Sequence, residues 1–363
     1  MKILLLSRYD RLGASTRLRT LQYIPYLESQ GFQIDIKPLF SNSYLEAFNS
    51  GKSRIGKALK GYLKRAFVLI NLKQYDLIWL EKELFSYLPA IGERILSFLK
   101  IPYVVDYDDA IFHRYDYHKY FPIRFFLGKK IDVVMRKASA VIAGNRYLAD
   151  RAKAADAPMV EIIPTVVDVK KYSIKTNYSK EISIVWIGSR TTTQYFADIV
   201  PVIQKAIEEK KFLKENIKIV AIGAYEKTLE GLPVKIIPWK ETEEVSEIKK
   251  YDIGIMPLPD NKWERGKCGY KLIQYMACGL PVVASPVGVN KEIITNGING
   301  YLAETPEEWI IALSKLANDE NLRKQMGENG RVLVEKNYSL QTQAPKLEQF
   351  FKEIINKNKK NGR

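Results

Sequence analysis

Two short stretches of this 363-residue chain carry the residue types that hold an anion: Gly188-Ser-Arg-Thr-Thr-Thr193 and Gly266-Lys-Cys-Gly-Tyr-Lys271. In the first, Gly188 follows the apolar run Ile182–Ile187, and Ser189, Arg190, Thr191 and Thr192 lead into a predicted helix. A glycine lets the backbone close on a ligand, while hydroxyls and the free N–H groups of a helix start suit phosphate oxygens. Arg190 adds a charge-assisted contact. The ordinary alternative is a Ser/Thr helix cap. In the second stretch, Gly266 and Gly269 keep a loop open and a helix starts near Tyr270, with Lys267 before it and Lys271 in its first turn. Lys271 and Gln274 are three apart and share a helix face. A lone lysine there would read as a solvated surface group. Glycine loop, helix start, paired lysines and the buried strand after them point together to a phosphate site.

The third candidate is acidic. Asp106, Asp108 and Asp109 stand at the end of the run Pro102-Tyr-Val-Val-Asp106, with His113 just beyond. Carboxylates past a strand's C-terminal end lie where open α/β sheets bind ligands. Like charges this close predict that at least one titrates high, an acid–base device. A solvated acidic turn capping a helix is the bland alternative. The cluster also has the look of an Asp-x-Asp metal motif; separately, the two histidines, His113 and His118, leave little for a histidine-based metal site.

These residues must be positioned by an alternation of strands and helices. Met1–Ser7 reads as a buried strand, followed by the loop Arg8–Arg17, a helix over Leu18–Gln30 and a strand over Phe32–Pro38. That opening is a βαβ unit and predicts a parallel sheet. Strands at Tyr75–Leu80, Pro102–Asp106 and Ala140–Ala143 continue the rhythm, with helices near Ala90–Leu99, near Ile131–Ala138 and from Asn145. A connector through Pro164 and Asp168 leads to strands at Ile182–Ile187, Lys218–Ile222, Val234–Ile237, Ile253–Pro257 and Pro281–Ser285. Helices follow over about Pro306–Asn318, Glu320–Val334 and Gln341–Ile355. No full Gly-x-Gly-x-x-Gly is present, which argues against a nicotinamide oxidoreductase.

The segment Gln274-Tyr-Met-Ala-Cys-Gly-Leu-Pro-Val-Val-Ala-Ser285 resembles the signature of glycosyltransferase family 4, Glu-Ala-Met-Ala-x-Gly-x-Pro-Val-Val-Ala-Ser. The resemblance extends over nearly the whole chain, most strongly over 180–303. It implies the α/β GT-B fold, two Rossmann-like domains with parallel sheets facing across a cleft. The first, 1–170, would take the acceptor and the second, 171–340, the nucleotide-sugar donor. Residues 341–363 would form a helix crossing back to the first domain and a basic tail. The implied reaction is transfer of a sugar from a nucleotide diphosphate sugar to a hydroxyl acceptor, with retention and with neither a metal nor another cofactor. Cell-envelope or polysaccharide synthesis, with a sugar or lipid-linked acceptor, is the implied setting.

Carried over residue by residue, Gly188, Ser189, Arg190, Thr191 and Thr192 would contact the donor diphosphate. Pro238 and Trp239 would receive the base. The leaving diphosphate needs positive charge, which Lys271, Lys267 or Arg190, with backbone N–H groups near Ser189 and Gly269, can supply. Gln274 stands at the family's second signature glutamate and would hold ribose. The first signature glutamate falls on Gly266, with Glu264 nearby as a stand-in. Gly13, Ser15 and Arg17 would line the acceptor side; a polar loop with a cap at Ser15 or Thr16 is the alternative. The family's His-Asp aligns with Asp108 and Asp109, and His113 lies further on. Because GT-B enzymes do not rely on Asp-x-Asp, no metal is expected there.

Composition agrees with a two-domain globular chain: 46% of residues are hydrophobic and 27% charged. The net charge of +16 calls for anionic partners: nucleotide phosphates, acidic lipid or nucleic acid. No nucleic-acid motif is found, so nucleic acid is not expected. A non-catalytic sugar-nucleotide binder stays open, since both signature glutamates are altered. Residues 52–73 contain no acid, and Ile55, Leu59, Tyr62, Leu63, Phe67 and Ile70 recur at helical spacing among lysines and arginines. That is a basic amphipathic helix, suited to an anionic membrane surface or to packing on the sheet. Tyr115–Lys130 mixes aromatic and basic residues that suit bases, sugars, lipid headgroups or a core. Two cysteines suit a reducing compartment, and the apolar run at Ile3–Leu6 is too short for a secretory signal. A cytoplasmic protein, peripheral on the inner face of the membrane, is the expectation.

Overall fold

The computed structural model describes residues 1–177, 181–212 and 217–360, the side chain of Asn49 aside. The end of the basic tail, 361–363, lies outside the described residues. The chain forms two compact units. Unit 1 comprises Met1–Thr165, Gly266–Cys268 and Gln343–Arg363, and unit 2 comprises Val166–Arg265 and Gly269–Thr342. The division therefore falls at 165/166, and the helix Leu340–Lys360 passes from unit 2 into unit 1 near its start.

Unit 1 holds a six-stranded sheet of β1 (Lys2–Leu6), β2 (Gln33–Ile36), β3 (Leu77–Glu81), β4 (Tyr103–Tyr107), β5 (Ala140–Ala143) and β6 (Val160–Ile162). Its order is β2-β1-β3-β4-β5-β6, and every pairing is parallel. Unit 2 repeats the plan with β7 (Ile182–Ile187), β8 (Ile217–Ile222), β9 (Lys235–Ile237), β10 (Ile253–Met256), β11 (Val282–Ala284) and β12 (Gly300–Leu302). Its order is β12-β11-β10-β7-β8-β9, again parallel throughout. Ile3–Leu6 and Leu77–Leu80 are wholly buried, apolar on both sheet faces. Helices covering both faces of a parallel sheet demand that pattern, and each such side chain stabilises the fold by about 1.5–3 kcal/mol.

Each strand order contains one switch point. In unit 1 the chain leaves β1 toward β2 and later returns on the other side as β3, so the order reverses between β1 and β3. In unit 2 the reversal lies between β7 and β10. Loops leaving the C-terminal ends of such strands form a crevice at the switch point.

The first helix differs from its sequence expectation. It begins at Ala14 rather than Leu18, and a 3-10 turn at Leu21–Tyr23 separates it from Ile24–Ser29. Neither Ser15 nor Thr16 caps it; Gly13 occupies that position. Their hydroxyls are instead used by carboxylates on β3 and after β4, as described below.

The basic segment forms the helix Ile55–Val68. Its inward face is not the apolar stripe. Gly61 packs so closely that a Cβ there would lie 2.2 Å from the Leu39 carbonyl oxygen. Arg65 is buried and donates to the carbonyls of Ser7 (2.6 Å) and Lys37 (3.0 Å). Ile55, Leu59, Leu63 and Phe67, at 55–79% exposure, face solvent.

Candidate functional site

In unit 2, β7 ends at Gly188, whose N–H donates to the Ile222 carbonyl at 3.0 Å. A Cβ on Gly188 would come within 2.2 Å of Trp186 Cη2, so only glycine lets the chain turn over this buried indole. Trp186 stacks on Phe196 of the following helix, Thr193–Glu208. The Ser189 carbonyl accepts the N–H groups of Thr192 (2.9 Å) and Thr193 (3.1 Å) and the Thr193 hydroxyl (3.0 Å). No side chain caps this helix. The hydroxyls of Ser189 and Thr191 lie 3.1 Å apart and exposed. The expected Ser/Thr cap is therefore not formed; the N–H groups of Thr192 and Thr193 are spent on the Ser189 carbonyl, while the Ser189 and Thr191 hydroxyls are exposed.

Lys271 Nζ sits 5.3 Å from the centre of the Trp186 ring, so the lysine and the Gly188 turn share one indole. Gly269, in the left-handed region at φ +63°, starts the helix Tyr270–Ala277. A side chain on Gly269 would strike Ile293.

Beyond β8, Gly223 takes φ +73°, and a Cβ on it would meet the Gly188 carbonyl oxygen at 2.6 Å and Trp239 Cβ at 3.0 Å. The ends of β7, β8 and β9 thus converge on two glycines. Beside them is an open cavity of about 530 Å³, lined by Gly223, Tyr225, Glu226, Ile236, Pro238 and Trp239. The Arg190 guanidinium lies 4.1 Å over the Tyr225 ring. Trp239 Nε1 donates to Glu244 Oε2 at 2.7 Å. Glu244 Oε1 accepts the Gln274 amide at 2.6 Å and the Tyr172 hydroxyl at 3.2 Å. Gln274 is buried and tied to Trp239 through one carboxylate.

Glu264 is 2% exposed, and its Oε1 accepts the Tyr195 hydroxyl at 2.5 Å. Among the described residues its Oε2 has no hydrogen-bond partner. Burial and this carboxylate push the Tyr195 phenol well above its usual range.

Unit 1 holds the acidic cluster at its switch point. Ser15 Oγ lies 2.5 Å from Asp108 Oδ2 and 3.1 Å from Glu81 Oε1, donating to one of the two carboxylates. Thr16 Oγ1 donates to Glu81 Oε2 at 2.6 Å. Lys82, directly after β3, takes φ +67°, a strained conformation for a residue with a side chain. Its ammonium is buried and pairs with Asp108 Oδ1 at 2.8 Å and Asp109 Oδ2 at 3.7 Å. Lys267 reaches Asp109 Oδ1 at 3.8 Å. Burial alone would raise the Asp108 carboxyl, but Lys82 and the Ser15 hydroxyl hold it below the usual carboxylate range.

The group that titrates high is Asp106. It is buried against Arg19, which it accepts at 2.8 and 3.0 Å, and burial pushes it to about 6. The expected elevation is present, but desolvation drives it, with the like charge of Asp108 only a smaller contributor. Asp106 and Asp108 are thus not a matched pair open to one ion: the first is held by arginine, the second by lysine and serine.

Residues 266–268 are packed into unit 1. The Asn145 amide donates to the carbonyls of Gly266 and Lys267, each at 3.0 Å, and Cys268 Sγ donates to the Asp108 carbonyl at 3.0 Å. A Cβ on Gly266 would come within 2.5 Å of Ala110 Cβ, so a glutamate does not fit there. Lys267 therefore stands with the acidic turn, and Lys271 with the Gly188 turn. Both His113 nitrogens are engaged, Nδ1 with Asp116 and Nε2 with the Tyr147 hydroxyl, each at 2.8 Å. Gly13 is buried against Tyr9, and Arg17 donates to the Arg11 carbonyl at 3.2 Å.

A family model described as glycosyl transferases group 1 matches residues 171–333. The matched region takes in the Gly188 turn, the cavity beside Trp239 and the helix carrying Lys271 and Gln274. An uncharacterized glycosyltransferase of Methanocaldococcus jannaschii is 27% identical over 244 residues, 63% of this chain and 60% of that protein. The chain thus spans less than two thirds of that relative's length. Sucrose-phosphate synthase from Thermosynechococcus elongatus superposes with a TM-score of 0.72 over 98% of this chain and 99% of that one, at 13% identity. HepE of Anabaena, in complex with UDP-glucose, gives a TM-score of 0.71 over 97% and 100%, at 15% identity. The fold is GT-B.

Glu244, Lys82, Glu81, Tyr225 and Tyr195 belong to these constellations and were not singled out by sequence. For Lys82 a signal exists: the charged triplet Glu81-Lys-Glu83 stands at the end of a buried, mostly apolar strand. For Glu244 none does, since it lies on another element and 30 residues from Gln274.

Proposed function

We propose that this chain transfers a sugar from a uridine diphosphate sugar to a hydroxyl acceptor, with retention at the anomeric carbon. One observation carries the reading: the donor-rich turn Gly188–Thr193 and the cavity walled by Tyr225 and Trp239 meet at Gly188 and Gly223. A phosphate group and a flat base fit that combination. The UDP-glucose complex of the Anabaena structure supports uridine diphosphate as the donor class.

In the transfer, the bond from the anomeric carbon to the diphosphate oxygen breaks and a bond to the acceptor oxygen forms. The diphosphate leaves with the electron pair, and its departing oxygen takes up the proton of the acceptor hydroxyl as that hydroxyl bonds on the same face of the sugar. Lys271, Arg190, the N–H groups of Arg190 and Thr191 and the exposed Ser189 and Thr191 hydroxyls would stabilise the charge on the departing diphosphate. Asp108 and Asp109 would orient the acceptor hydroxyl. Their pairing with Lys82 and Lys267 supports a role without a divalent cation.

The exposed stripe of Ile55, Leu59, Leu63 and Phe67 beside exposed Lys57, Lys60 and Lys64 supports peripheral attachment to an anionic membrane and a lipid-linked acceptor in envelope glycan synthesis. Among the described residues no helix is long and apolar enough to cross a membrane. A second reading, a binder of sugar nucleotides without turnover, is favoured by the glycine at 266 and the glutamine at 274.

Thermal shift with UDP, GDP, ADP and UDP-sugars, followed by nucleotide release with glycolipid acceptors, tests the proposal. UDP compounds should raise the melting temperature, and UDP should be released only with acceptor. Stabilisation without release under any acceptor would favour the binder, and no stabilisation by any nucleotide would reject both.

A further inference from the structure

We propose that the helix Phe121–Leu127 is a second lipid-inserting element, an aromatic wedge that enters the interface of an anionic bilayer. The inference rests on the membrane reading of unit 1 given above and adds a separate point of contact.

The helix has two unlike faces. Leu127 is buried and Ile123 half-buried against the unit 1 core. Phe121, Phe125 and Phe126 are 65–75% exposed, and Tyr117 and Tyr120 before them are more than half exposed. The phenylalanines touch one another: ring centres are 5.8 Å apart for Phe121 and Phe125 and 5.0 Å for Phe125 and Phe126. An aromatic patch of this kind is costly to leave in water and marks an interaction surface.

The wedge is held rigidly. Arg124 Nη1 donates to the His118 and Lys119 carbonyls at 2.5 and 3.0 Å, pinning the preceding loop. At the other end a Cβ on Gly128 would lie 2.4 Å from the Arg124 carbonyl oxygen, an approach that leaves no room for a side chain. It then runs to Lys130, whose buried ammonium pairs with Glu83 at 2.6 Å. Little conformational freedom remains to be lost on binding.

Charge selects the occupant. From Tyr117 to Ile131 there is no acidic residue, while Lys119, Arg124 and Lys129 are exposed. Exposed aromatics among cations suit the boundary between anionic headgroups and acyl chains. A second copy of this chain would set the same basic patch against itself, on a molecule of net charge +16. The lysines of Ile55–Val68 act through charge and are screened by salt; the phenylalanines act through burial and are not.

The test is sedimentation of the full chain with vesicles of phosphatidylglycerol and phosphatidylcholine, at low salt and at about 0.5 M salt, where screening is nearly complete. Wild type, Phe121/Phe125/Phe126→Ser and Lys57/Lys60/Lys64→Glu are compared, with melting temperature and analytical ultracentrifugation on each. The serine variant should fold as wild type and lose the salt-resistant binding by about tenfold or more, the scale set by removing three aromatic rings from burial. The glutamate variant should lose mainly the salt-sensitive part. A serine variant that binds like wild type overturns the wedge and leaves the basic helix standing. An unaffected glutamate variant with a defective serine variant overturns the basic helix and leaves the wedge. Wild type that ignores the vesicles, or that is a dimer dissolved by the serine substitutions, overturns the wedge.

Discussion

The indole N–H of Trp239 is held by Glu244, and the same carboxylate holds the amide of Gln274, at 2.7 and 2.6 Å. Two residues from different elements are thereby locked to one side chain. Under the proposed function, Glu244 fixes the wall of the base cavity and the group near ribose together. Replacing Glu244 by Ala should weaken UDP binding about tenfold or more, since hydrogen bonds to charged groups contribute about 1.5–3 kcal/mol each. Calorimetric titration with UDP measures this, and Glu244→Gln, which keeps one acceptor, should fall between. Wild-type affinity in the alanine variant would remove Glu244 from the site.

Lys271 is expected to act on the leaving diphosphate. Lys271→Ala should lower turnover by about tenfold to a thousandfold, the usual loss when one transition-state contact is removed. Steady-state UDP release is the readout. A folded variant with unchanged kinetics would discount the lysine.

The acidic cluster should separate catalysis from donor binding. Asp108→Asn and Asp109→Asn are expected to reduce transfer strongly while UDP affinity stays near wild type, because both belong to unit 1 and the nucleotide cavity to unit 2. Parallel loss of UDP affinity would contradict the assignment.

Lys82 sets a pH dependence whose sign can be worked out. In the native protein the Asp108 carboxyl is held below its ordinary range. Its charged form therefore contributes stability that is present above the unfolded value of about 3.9 and is lost as pH falls through the lower native value. Lys82→Met removes the ammonium and leaves burial opposed only by the Ser15 hydroxyl and the more distant Arg19, so the Asp108 carboxyl should titrate higher than in the native protein. The ionised carboxylate then destabilises the variant at neutral pH, by about 3–5 kcal/mol for a broken buried pair. The deficit should shrink as pH is lowered through the variant's raised value. Urea unfolding of both proteins from neutral pH to about pH 4 checks this. A deficit that does not change with pH would contradict it.

Much of this was legible in the sequence because it rests on local pattern. Apolar runs such as Ile182–Ile187 and Tyr103–Val105 can only be buried strands, and Gly188 at a strand end marks a tight turn. The helix Tyr270–Ala277 and its stop at Gly279 follow from glycine and proline positions. What local pattern lacks is partner choice. Ser15 and Thr16 look like helix caps in isolation, yet Glu81 and Asp108, 66 and 93 residues from Ser15, claim the hydroxyls. The stripe on Ile55–Val68 has the periodicity of a packed helix, and only the seating of Gly61 and Arg65 shows that another face packs. Gly266 looks like a lost glutamate, but Ala110 leaves no room for one.

The central claim is that uridine diphosphate occupies unit 2 at the meeting of the Gly188 turn and the Trp239 cavity. A crystal structure grown with UDP measures it directly. The account predicts uracil in the cavity beside Gly223 and Trp239, and phosphates on the Ser189 and Thr191 hydroxyls of the Gly188 turn within reach of Lys271. Nucleotide bound elsewhere on the chain, or that cavity left empty at saturating UDP, would contradict it.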